Sequence, residues 1–506
     1  MGMPEWRTPD PVALYAQAQP EKLACVDLAT GRQWNYRQFN GAIQRTVSAL
    51  ASLGVEPGQR IAAIARNSAD LLMLQQAAMR SGAIFVPINW RLSRPEQADI
   101  LAGCAPSLLV TDEDIAGMIL PRGCKDIAVA EFREAVARET PAAAQPLPPA
   151  DAPNIILYTS GTSGRPKGVV ITGRNVFATA VNFGVLGQVG QGSVFLCDTP
   201  MFHIIGLITS MHSPLLQGGT VLVSSAFDPM TTNARLADAA FGVTHYFCVP
   251  QMAQALRGAA NFAPENWRSL KALFTGGAPN PPANIRWWLG KGVRMVDGYG
   301  MTEAGTLLGM PLDPALIDAK AGSAGLPAPG LTMRIVDEAG MDVGAGEVGE
   351  ILVAGPNVTP GYWARPEETA KAFTPDGWLK TGDLARRDED GFVTIVDRRK
   401  DMFISGGENV YPVEVEAALN AHPSILDAAV IGVADEKWGE VGRAFIVLRP
   451  GCAVASEALV AHCAGLIARY KIPRDYVRIE NLPRSGAGKV LKNELKRLGL
   501  SSATTP

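Results

Sequence analysis

The chain has 506 residues and a formal net charge of −3, with 46 basic and 49 acidic side chains. Hydrophobic residues make up 47% of the sequence and charged residues 19%, which excludes a disordered chain and indicates a globular, core-forming protein. The near-neutral charge gives no basis for binding nucleic acid or an anionic membrane. At about 150 residues per domain, the length allows about three folding units, or one large domain and one small domain.

No segment has the character of a membrane span or an export signal. No apolar run approaches the ~20 residues that a helix needs to cross a bilayer, so we expect no integral membrane association. The N-terminus lacks a basic stretch followed by an apolar one, and the C-terminal run SSATTP carries no retention or peroxisomal signal. The seven cysteines are scattered without a CxxC pair, which predicts free thiols. We therefore expect a cytoplasmic location.

The first 150 residues alternate helical and β-rich patterns. Residues 37–53 and 69–81 predict helices, and residues 60–65 and 83–88 predict buried strands. Apolar strands that alternate with helices predict parallel sheets with both faces covered. The Ala- and Pro-rich stretch 137–153 predicts a surface connector.

The pattern changes in the second half of the chain. From about residue 326, short β-rich runs separated by Gly and Asp turns predict a mainly antiparallel subdomain. After residue 400, helical segments such as 413–422 and 456–470 alternate with short strands. The predicted fold class is α/β: a large N-terminal domain of parallel-type sheets with helices (1–399), including a small β subdomain (326–399), and a small mobile α+β C-terminal domain (400–506).

A loop rich in glycine and hydroxyl residues follows the apolar strand at residues 154–157. In the run YTSGTSGRPKG, the glycines let backbone N–H groups approach an anion, the hydroxyls add donors, and the lysine adds a charge. This composition suits the phosphates of a nucleotide, although it matches neither the P-loop nor the dinucleotide-binding fingerprint. The candidate contacts are Thr159, Ser160, Gly161, Thr162, Ser163, Gly164 and Lys167.

This loop resembles the signature loop of the adenylate-forming superfamily, which includes acyl- and aryl-CoA synthetases, luciferases and the adenylation domains of peptide synthetases. Further motifs of that family follow in the family's order, and the resemblance covers about residues 30 to 496. These motifs are Gly276-Gly277-Ala278-Pro279, Gly298-Tyr299-Gly300-Met301-Thr302-Glu303, Thr381-Gly382-Asp383, Asp397-Arg398, Ser405-Gly406-Gly407-Glu408-Asn409 and the run PRSGAGK at 483–489.

The resemblance implies a ligase reaction in two steps. A carboxylate attacks the α-phosphate of ATP to give an acyl-adenylate and pyrophosphate, and the CoA thiol then expels AMP. Both reactants of the first step are anions, so the site needs fixed donors, a lysine and Mg²⁺. The catalytic residues implied are Lys489, Thr302, Glu303 and His203, and Glu303 is also the implied Mg²⁺ ligand.

The resemblance also implies how ATP and CoA are held. The adenine contacts are the 276–279 turn and Tyr299, with Asp297, Gly298, Gly300 and Met301 beside them, and the ribose contacts are Asp383 and Arg398. A hinge is implied at Lys400, and CoA contacts at Arg91, Gly406, Gly407 and Trp438. Residues 469–497 carry nine basic and three acidic side chains, which predicts either a basic patch that steers ATP and CoA or an ordinary solvated face.

The implied acyl pocket is lined by Ile204, Ile205, Thr209, Phe247, Val249 and Gly305. The run FHIIGLITSM has no acid to pair with an amino group, which argues against an amino-acid substrate. The apolar and small residues, with glycines that would leave room, favour a medium- or long-chain acyl group or an aryl acid over acetate. A fatty acid is preferred, because no polar partner for a ring hydroxyl is evident near the far end of the pocket. An aryl acid of the cinnamate or benzoate type, and loading of a carrier protein in place of CoA, stay open as alternatives. The expected partners are a small carboxylic acid, ATP and CoA, with a homodimer left open.

Overall fold

The computed structural model describes residues 6–113, 115–159, 166–277, 280–405, 408–435, 438–485 and 488–501. The chain packs as two compact units. The first contains residues 1–276, 282–332 and 353–379, and the second contains residues 277–281, 333–352 and 380–506. These units are defined by internal packing. A boundary after residue 399 between domains that move against each other stays a prediction.

The strands are numbered in chain order: β1 (Leu23–Asp27), β2 (Gln33–Asn35), β3 (Arg60–Ile64), β4 (Ile84–Pro87), β5 (Leu108–Thr111), β6 (Lys125–Ala128), β7 (Pro153–Thr159), β8 (Lys167–Thr172), β9 (Val194–Cys197), β10 (Thr220–Val223), β11 (His245–Cys248), β12 (Ala272–Thr275), β13 (Met295–Met301), β14 (Gly305–Gly309), β15 (Leu326–Pro327), β16 (Thr332–Val336), β17 (Gly349–Ala354), β18 (Leu379–Arg387), β19 (Val393–Arg398), β20 (Phe403–Ser405), β21 (Glu408–Val410), β22 (Ile425–Asp435), β23 (Gly439–Leu448) and β24 (Asp475–Arg478).

The α-helices are numbered in the same way: α1 (Pro11–Ala18), α2 (Tyr36–Ser52), α3 (Ala69–Ser81), α4 (Arg94–Cys104), α5 (Val129–Arg138), α6 (Gly173–Leu186), α7 (Ser213–Leu216), α8 (Pro229–Ala237), α9 (Pro250–Gly258), α10 (Pro282–Gly290), α11 (Pro314–Ala319), α12 (Pro366–Ala372), α13 (Pro412–Asn420), α14 (Ser456–Ala464) and α15 (Lys492–Ser501). A π-helix spans Ile205–His212, and short 3₁₀ turns span Pro264–Asn266 and Arg469–Lys471.

Two sheets form the first unit. One has the strand order β6-β5-β3-β4-β7-β8, and the other has the order β15-β14-β13-β12-β11-β9-β10-β1-β2. The inner strands pair in parallel, and antiparallel strands such as β8, β2 and β14 lie towards the edges. Because the inner strands are covered by helices, their residues are almost completely buried. The predicted parallel sheets are confirmed.

Local sequence signals set the helix ends in this unit. The α3 helix begins after Ser68, whose side chain accepts a hydrogen bond from the backbone N–H of Leu71, and it ends at Gly82 with a φ of 72°. Its bounds coincide with the predicted 69–81. The predicted helix 37–53 is α2, displaced by one residue, because Asn35 and Gln38 form a capping box ahead of it.

The second half also follows the predicted class, with some differences. A small sheet has the order β16-β17-β18-β19, and its strand β18 was not predicted. The C-terminal sheet has the order β21-β20-β23-β22, with β24 beside β23 and with α13 and α14 packed on its core. The helix predicted over 456–470 was too long. It ends at Ala464, because Gly465 interrupts it.

Among the described residues, no helix combines the length and the apolar character that a membrane crossing requires.

Candidate active site

The glycine-rich loop connects two strands that pair with each other. Thr159 at the end of β7 and Lys167 at the start of β8 are partners in the antiparallel ladder, so Lys167 lies at the mouth of the loop. The next residue must be glycine, because a Cβ on Gly168 would lie 2.7 Å from Cγ2 of Ile156. Five predicted phosphate contacts lie outside the described residues: Ser160, Gly161, Thr162, Ser163 and Gly164.

The Lys167 ammonium is held between a carboxylate and an aromatic ring. Its Nζ forms an ion pair with Glu368, which lies in the first turn of α12. The same atom lies 5.4 Å from the centre of the Tyr362 ring. The hydrogen bond from Lys167 lowers the pKa of Glu368. A fixed, largely buried cation at the mouth of a glycine-rich loop is suited to receive a phosphate.

Thr302 and Glu303 lie in the tight turn between β13 and β14. The two strands approach closely, because a Cβ on Gly300 would lie 2.3 Å from the carbonyl oxygen of Gly305. Gly305 has a φ of 62°, and a Cβ on it would lie 2.1 Å from Oγ1 of Thr179 on α6. The glycines of this motif therefore serve close backbone packing. The predicted ATP contacts Gly298, Tyr299, Gly300 and Met301 all lie on β13.

One segment that the sequence analysis did not identify, residues 357–363, connects the Lys167 strand with the Glu303 turn. On one side it bonds to β8. The backbone N–H of Val170 donates to the carbonyl of Gly361 at 3.0 Å, and that of Trp363 donates to the carbonyl of Gly168 at 2.7 Å. This side of the segment continues the ladder that starts at Lys167.

On its other side, the 357–363 segment holds the Glu303 turn. The backbone N–H of Thr359 donates to the carbonyl of Glu303 at 2.7 Å, and the Asn357 side chain donates to the carbonyl of Ala304 at 2.6 Å. The Tyr362 hydroxyl donates to Oε1 of Glu303 at 3.0 Å. No periodic pattern marks this segment in the sequence. Its only signal is a pair of aromatic residues after a Thr-Pro-Gly turn.

Glu303 offers the kind of carboxylate that a magnesium nucleotide needs. Within the described parts of the chain, no group of three or more His, Cys, Asp or Glu side chains is arranged to hold a metal. Mg²⁺ keeps several waters and binds through one or two carboxylates together with phosphate oxygens. A single carboxylate, fixed at one oxygen by Tyr362, therefore fits Mg²⁺ that arrives with a triphosphate.

The turn after β12 lies against the middle of β13. A Cβ on Gly276 would lie 3.1 Å from the carbonyl oxygen of Gly298, so the backbones approach closely at this position. Gly277 follows with a φ of 80°. The other two predicted residues of this turn, Ala278 and Pro279, lie outside the described residues.

Asp297 carries a carboxyl group with an unusual environment. Thr275 donates a hydrogen bond to its Oδ1 at 2.8 Å. Partial burial nevertheless raises the pKa of Asp297 to about 7, against the opposing effect of the hydrogen bonds from Thr275 and the Gly298 backbone. This residue therefore titrates near neutral pH in the folded protein.

We expect Asp297→Asn to weaken the pH dependence of stability. The folded state holds the Asp297 proton more tightly than the unfolded state, so the stability that this proton contributes is complete below pH ~4 and is lost as pH rises towards 7. Between pH 5 and pH 7 the loss should be about 2 to 3 kcal/mol. Thermal unfolding of both proteins at these pH values measures it. Asp99→Asn, which alters an exposed carboxylate, is the control. Parallel pH profiles for wild type and Asp297→Asn would contradict the assignment.

The predicted ribose contacts meet on the second unit. Asp383 on β18 and Arg398 on β19 are ladder partners, and Nε of Arg398 lies 3.4 Å from Oδ1 of Asp383. Gly382 precedes Asp383 with a φ of 72°, and its N–H donates to Oε1 of Glu350 at 3.2 Å. A buried carboxylate paired with a half-exposed guanidinium presents both acceptors and donors, as a pair of ribose hydroxyls requires.

The predicted hinge residue, Lys400, is exposed directly after β19. The chain before it is held within the second unit. Asp397 accepts a hydrogen bond from the N–H of Val413 at 3.0 Å, at the start of α13. Burial raises the pKa of Asp397 to about 6. Arg399 pairs with Glu350 at 3.0 Å.

The loop that carries Lys489 is closed at its base. The N–H of Ser485 donates to the carbonyl of Lys489 at 2.8 Å, and the N–H of Lys489 donates to Oγ of Ser485 at 3.2 Å. Arg484 pairs with Asp427 on β22. These bonds fix the base of the loop. Gly486 and Ala487, at its tip, lie outside the described residues.

Part of the basic excess over residues 469–497 is neutralised locally. Among the described residues, at least four of its nine basic side chains form ion pairs, which argues against a free anion-binding patch at those positions. These pairs are Lys471–Glu414, Arg474–Asp435, Arg484–Asp427 and Lys492–Glu416.

The predicted CoA contacts belong to different units. The exposed Arg91 lies in the first unit, with its guanidinium 4.8 Å from the centre of the Trp90 ring. The half-buried Trp438 lies in the second unit, and the Arg474 guanidinium is 5.5 Å from its ring centre. Gly406 and Gly407 lie outside the described residues.

The predicted acyl-pocket residues come from elements that pack together. The π-helix packs against β11 and β14, which brings residues from three parts of the chain to one place. Four side chains there are half-buried and can contact a ligand, whereas Thr209 and Gly305 are buried. The four are Ile204, Ile205, Phe247 and Val249.

His203 lies in the turn that leads into the π-helix. Asn67, which the sequence analysis did not identify, fixes this turn: its side chain donates to the carbonyl of Thr199 and accepts from the N–H of Met201, both at 2.8 Å. A Cβ on Gly206 would lie 2.1 Å from a backbone oxygen of the same turn. The position of His203 is therefore set by backbone contacts on both sides.

The glycines near the pocket do not enlarge it. A Cβ on Gly298 would lie 3.0 Å from the carbonyl oxygen of Leu308. The positions that a Cβ would take on Gly300 and Gly305 are likewise filled by neighbouring protein atoms. The sequence analysis inferred room for a large acid from these glycines. That reasoning was wrong, because the space beside them is occupied by backbone and by Thr179.

Comparison with known proteins gives consistent matches over most of the chain. A family model described as AMP-binding enzyme matches residues 13–363, and one described as AMP-binding enzyme C-terminal domain matches residues 414–489. Among curated proteins, a feruloyl-CoA synthase from an Amycolatopsis species is 38% identical over 92% of this chain and 94% of its own length.

Two further proteins are similar over almost their full length. The long-chain-fatty-acid–CoA ligase FadD13 of Mycobacterium tuberculosis is 34% identical over 97% of this chain and 98% of its own. The structure of O-succinylbenzoate coenzyme A synthetase (MenE) from Bacillus subtilis, in complex with ATP and magnesium ion, matches with a TM-score of 0.86 and 31% identity. That match covers 97% of this chain and 100% of the other.

Proposed function

Because the chain belongs to the AMP-binding enzyme family, we propose that it is an ATP-dependent acid–CoA ligase that works through an acyl-adenylate. The proposal rests mainly on one observation: the 357–363 segment contacts both the strand that carries Lys167 and the turn that carries Glu303. A cation for phosphate and a carboxylate for a metal are thereby fixed on either side of Tyr362. Adenylation of an acid needs both charges at one triphosphate.

In the first step, two anions must approach each other. The Lys167 ammonium and the loop before it hold the phosphates, and Thr302 and Lys489 are proposed to donate to the α-phosphate and the attacking carboxylate. Glu303 would hold Mg²⁺, which supplies charge neutralisation at the phosphate oxygens. Lys167 must exchange its partner Glu368 for a phosphate when ATP binds.

In the second step, the CoA thiol attacks the acyl carbon and AMP leaves. Arg91 and Trp438 are the proposed contacts for the CoA phosphates and adenine, with Gly406 and Gly407 beside the pantetheine. The proposal includes a C-terminal domain over residues 400–506 that turns about Lys400. One site that performs two reactions in sequence needs such gating.

For the acid, we propose an aryl substrate. The half-buried Phe247 is backed by the rings of Phe183 and Phe274, at 5.9 Å and 6.3 Å between centres, and flat rings favour such surroundings. The similarity to feruloyl-CoA synthase supports the same class. A fatty acid, which the sequence analysis favoured, is the second candidate, because the similarity to FadD13 is nearly as high.

A panel of acids tests the proposal. With ATP, Mg²⁺ and CoA, we expect kcat/KM for cinnamate-type acids to exceed that for octanoate and palmitate by at least about 10-fold, since filling an aromatic pocket contributes at least that much. Release of AMP and formation of the acyl-CoA are the readouts, and a phosphopantetheinylated carrier protein replaces CoA in a parallel series. Preference for fatty acids would select the second candidate. No AMP release and no ATP–pyrophosphate exchange with any acid would reject the ligase.

A further inference from the structure

We propose that Tyr362 is a positioning residue for the metal-binding carboxylate, a role that rests on the proposed function. Its hydroxyl donates to Oε1 of Glu303 at 3.0 Å, which fixes one of the two carboxylate oxygens, and the other would bind the metal. A tyrosine hydroxyl is protonated at neutral pH, so Tyr362 remains a donor. A metal ligand whose second oxygen is hydrogen-bonded keeps its orientation before the metal arrives.

The ring of Tyr362 has a second effect, because it lies beside Lys167. The Lys167 Nζ is 5.4 Å from the ring centre, while the hydroxyl of the same ring reaches Glu303. The Tyr362 side chain thus lies between the Lys167 ammonium and the Glu303 carboxylate and separates them. A direct ion pair between Lys167 and Glu303 would neutralise the phosphate-binding charge and the metal-binding charge together.

The backbone at Tyr362 is held in place by contacts with two other elements. Its N–H donates to Oγ1 of Thr369 at 2.9 Å, and it forms a β-bridge with Val169 on β8. The preceding Gly361 has a φ of 143°, and a Cβ there would lie 2.4 Å from the Thr369 side chain. The phenol is therefore placed by bonds to two different elements, as a positioning role requires.

The test compares Tyr362→Phe, which keeps the ring and removes the donor, with wild type. Binding of Mn²⁺ together with a non-hydrolysable ATP analogue, followed by electron paramagnetic resonance, should be about 10-fold weaker in the variant, as expected for one hydrogen bond to a charged group. In ATP–pyrophosphate exchange, the Mg²⁺ concentration for half-maximal rate should rise about 10-fold. The rate at saturating Mg²⁺ should change less than about 3-fold.

The matched control is Tyr36→Phe, which removes a tyrosine hydroxyl elsewhere in the first unit. The Tyr36 hydroxyl donates to the backbone carbonyl of Gly219 at 2.6 Å. It should alter the unfolding temperature without changing Mn²⁺ binding. If Tyr362→Phe is itself unstable, Tyr362→Met, which also removes the hydrogen-bond donor, replaces it. A double-mutant cycle of the folded variant with Glu303→Gln adds a second measurement. Since Tyr362 acts through Glu303, its replacement should have no further effect on Mn²⁺ binding in the Glu303→Gln background.

Unchanged Mn²⁺ and Mg²⁺ dependence in Tyr362→Phe, or fully additive effects in the cycle, would overturn the role of Tyr362 and leave the ligase proposal standing. A wild-type chain that neither binds the Mn²⁺–nucleotide nor exchanges pyrophosphate would instead reject the ligase proposal, and the Tyr362 role with it.

Discussion

Replacement of Lys489 by alanine should reduce acyl-adenylate formation by at least about 100-fold and leave transfer of a preformed adenylate to CoA largely intact. The reason is the charge requirement of the first step, in which a carboxylate approaches a triphosphate. The closed base of the 485–489 loop presents this lysine at a defined position. The second step begins with a neutral mixed anhydride at the acyl carbon, and so has less need of this cation.

The two steps are measured separately. ATP–pyrophosphate exchange reports the first, and thioester formation from a synthetic acyl-adenylate and CoA reports the second. Lys125→Ala is the control, because it removes an exposed lysine on β6 whose ammonium donates to the carbonyl of Leu53 at 2.9 Å. Equal loss of both steps in Lys489→Ala would contradict a role confined to adenylation.

Glu303→Gln should reduce adenylation by about 100- to 1000-fold at 1 mM Mg²⁺, a range typical of losing one charged group that stabilises a transition state. Glutamine keeps the shape of the side chain and can still accept the hydrogen bond from Tyr362. It lacks the negative charge that holds Mg²⁺ against water. The fold of the turn should be unaffected, since Thr359 and Asn357 bind the backbone of the turn.

The dependence on Mg²⁺ distinguishes loss of the metal site from damage to the fold. Partial rescue of Glu303→Gln by 20- to 50-fold more Mg²⁺ is the expected result for a weakened metal site (order of magnitude for one lost ligand). Glu134→Gln, an exposed position on α5, should behave as wild type. A variant with normal activity at low Mg²⁺ would show that Glu303 is not the ligand.

Much of the fold follows from local signals. The α3 helix has its N-terminal serine cap, its apolar face and its C-terminal glycine within fifteen consecutive residues, so its bounds could be predicted without tertiary contacts. The strand β18 was missed, because the Thr-Gly-Asp motif inside it has the composition of a turn. Its pairing with β19 decides its conformation, and that pairing is not local.

In the candidate site, the motif residues could be found from the sequence, but the residues that hold their side chains in place could not. Glu303 and Tyr362 are 59 positions apart, and Lys167 and Glu368 are 201 positions apart. No periodicity or spacing connects such pairs, and the 357–363 segment has the composition of an ordinary loop. The same limit explains the error about the glycines, because what faces a missing Cβ depends on strands and helices that are remote in the chain.

The family, the order of its motifs and the type of each chemical group could be read from the residues alone, because they depend on residue identity along the chain. The tertiary structure alone decided that Tyr362 stands between Lys167 and Glu303, that Asn67 fixes the turn before the π-helix, and that the pocket glycines are closed from behind. Those facts depend on distances between atoms of remote residues, which only folding sets.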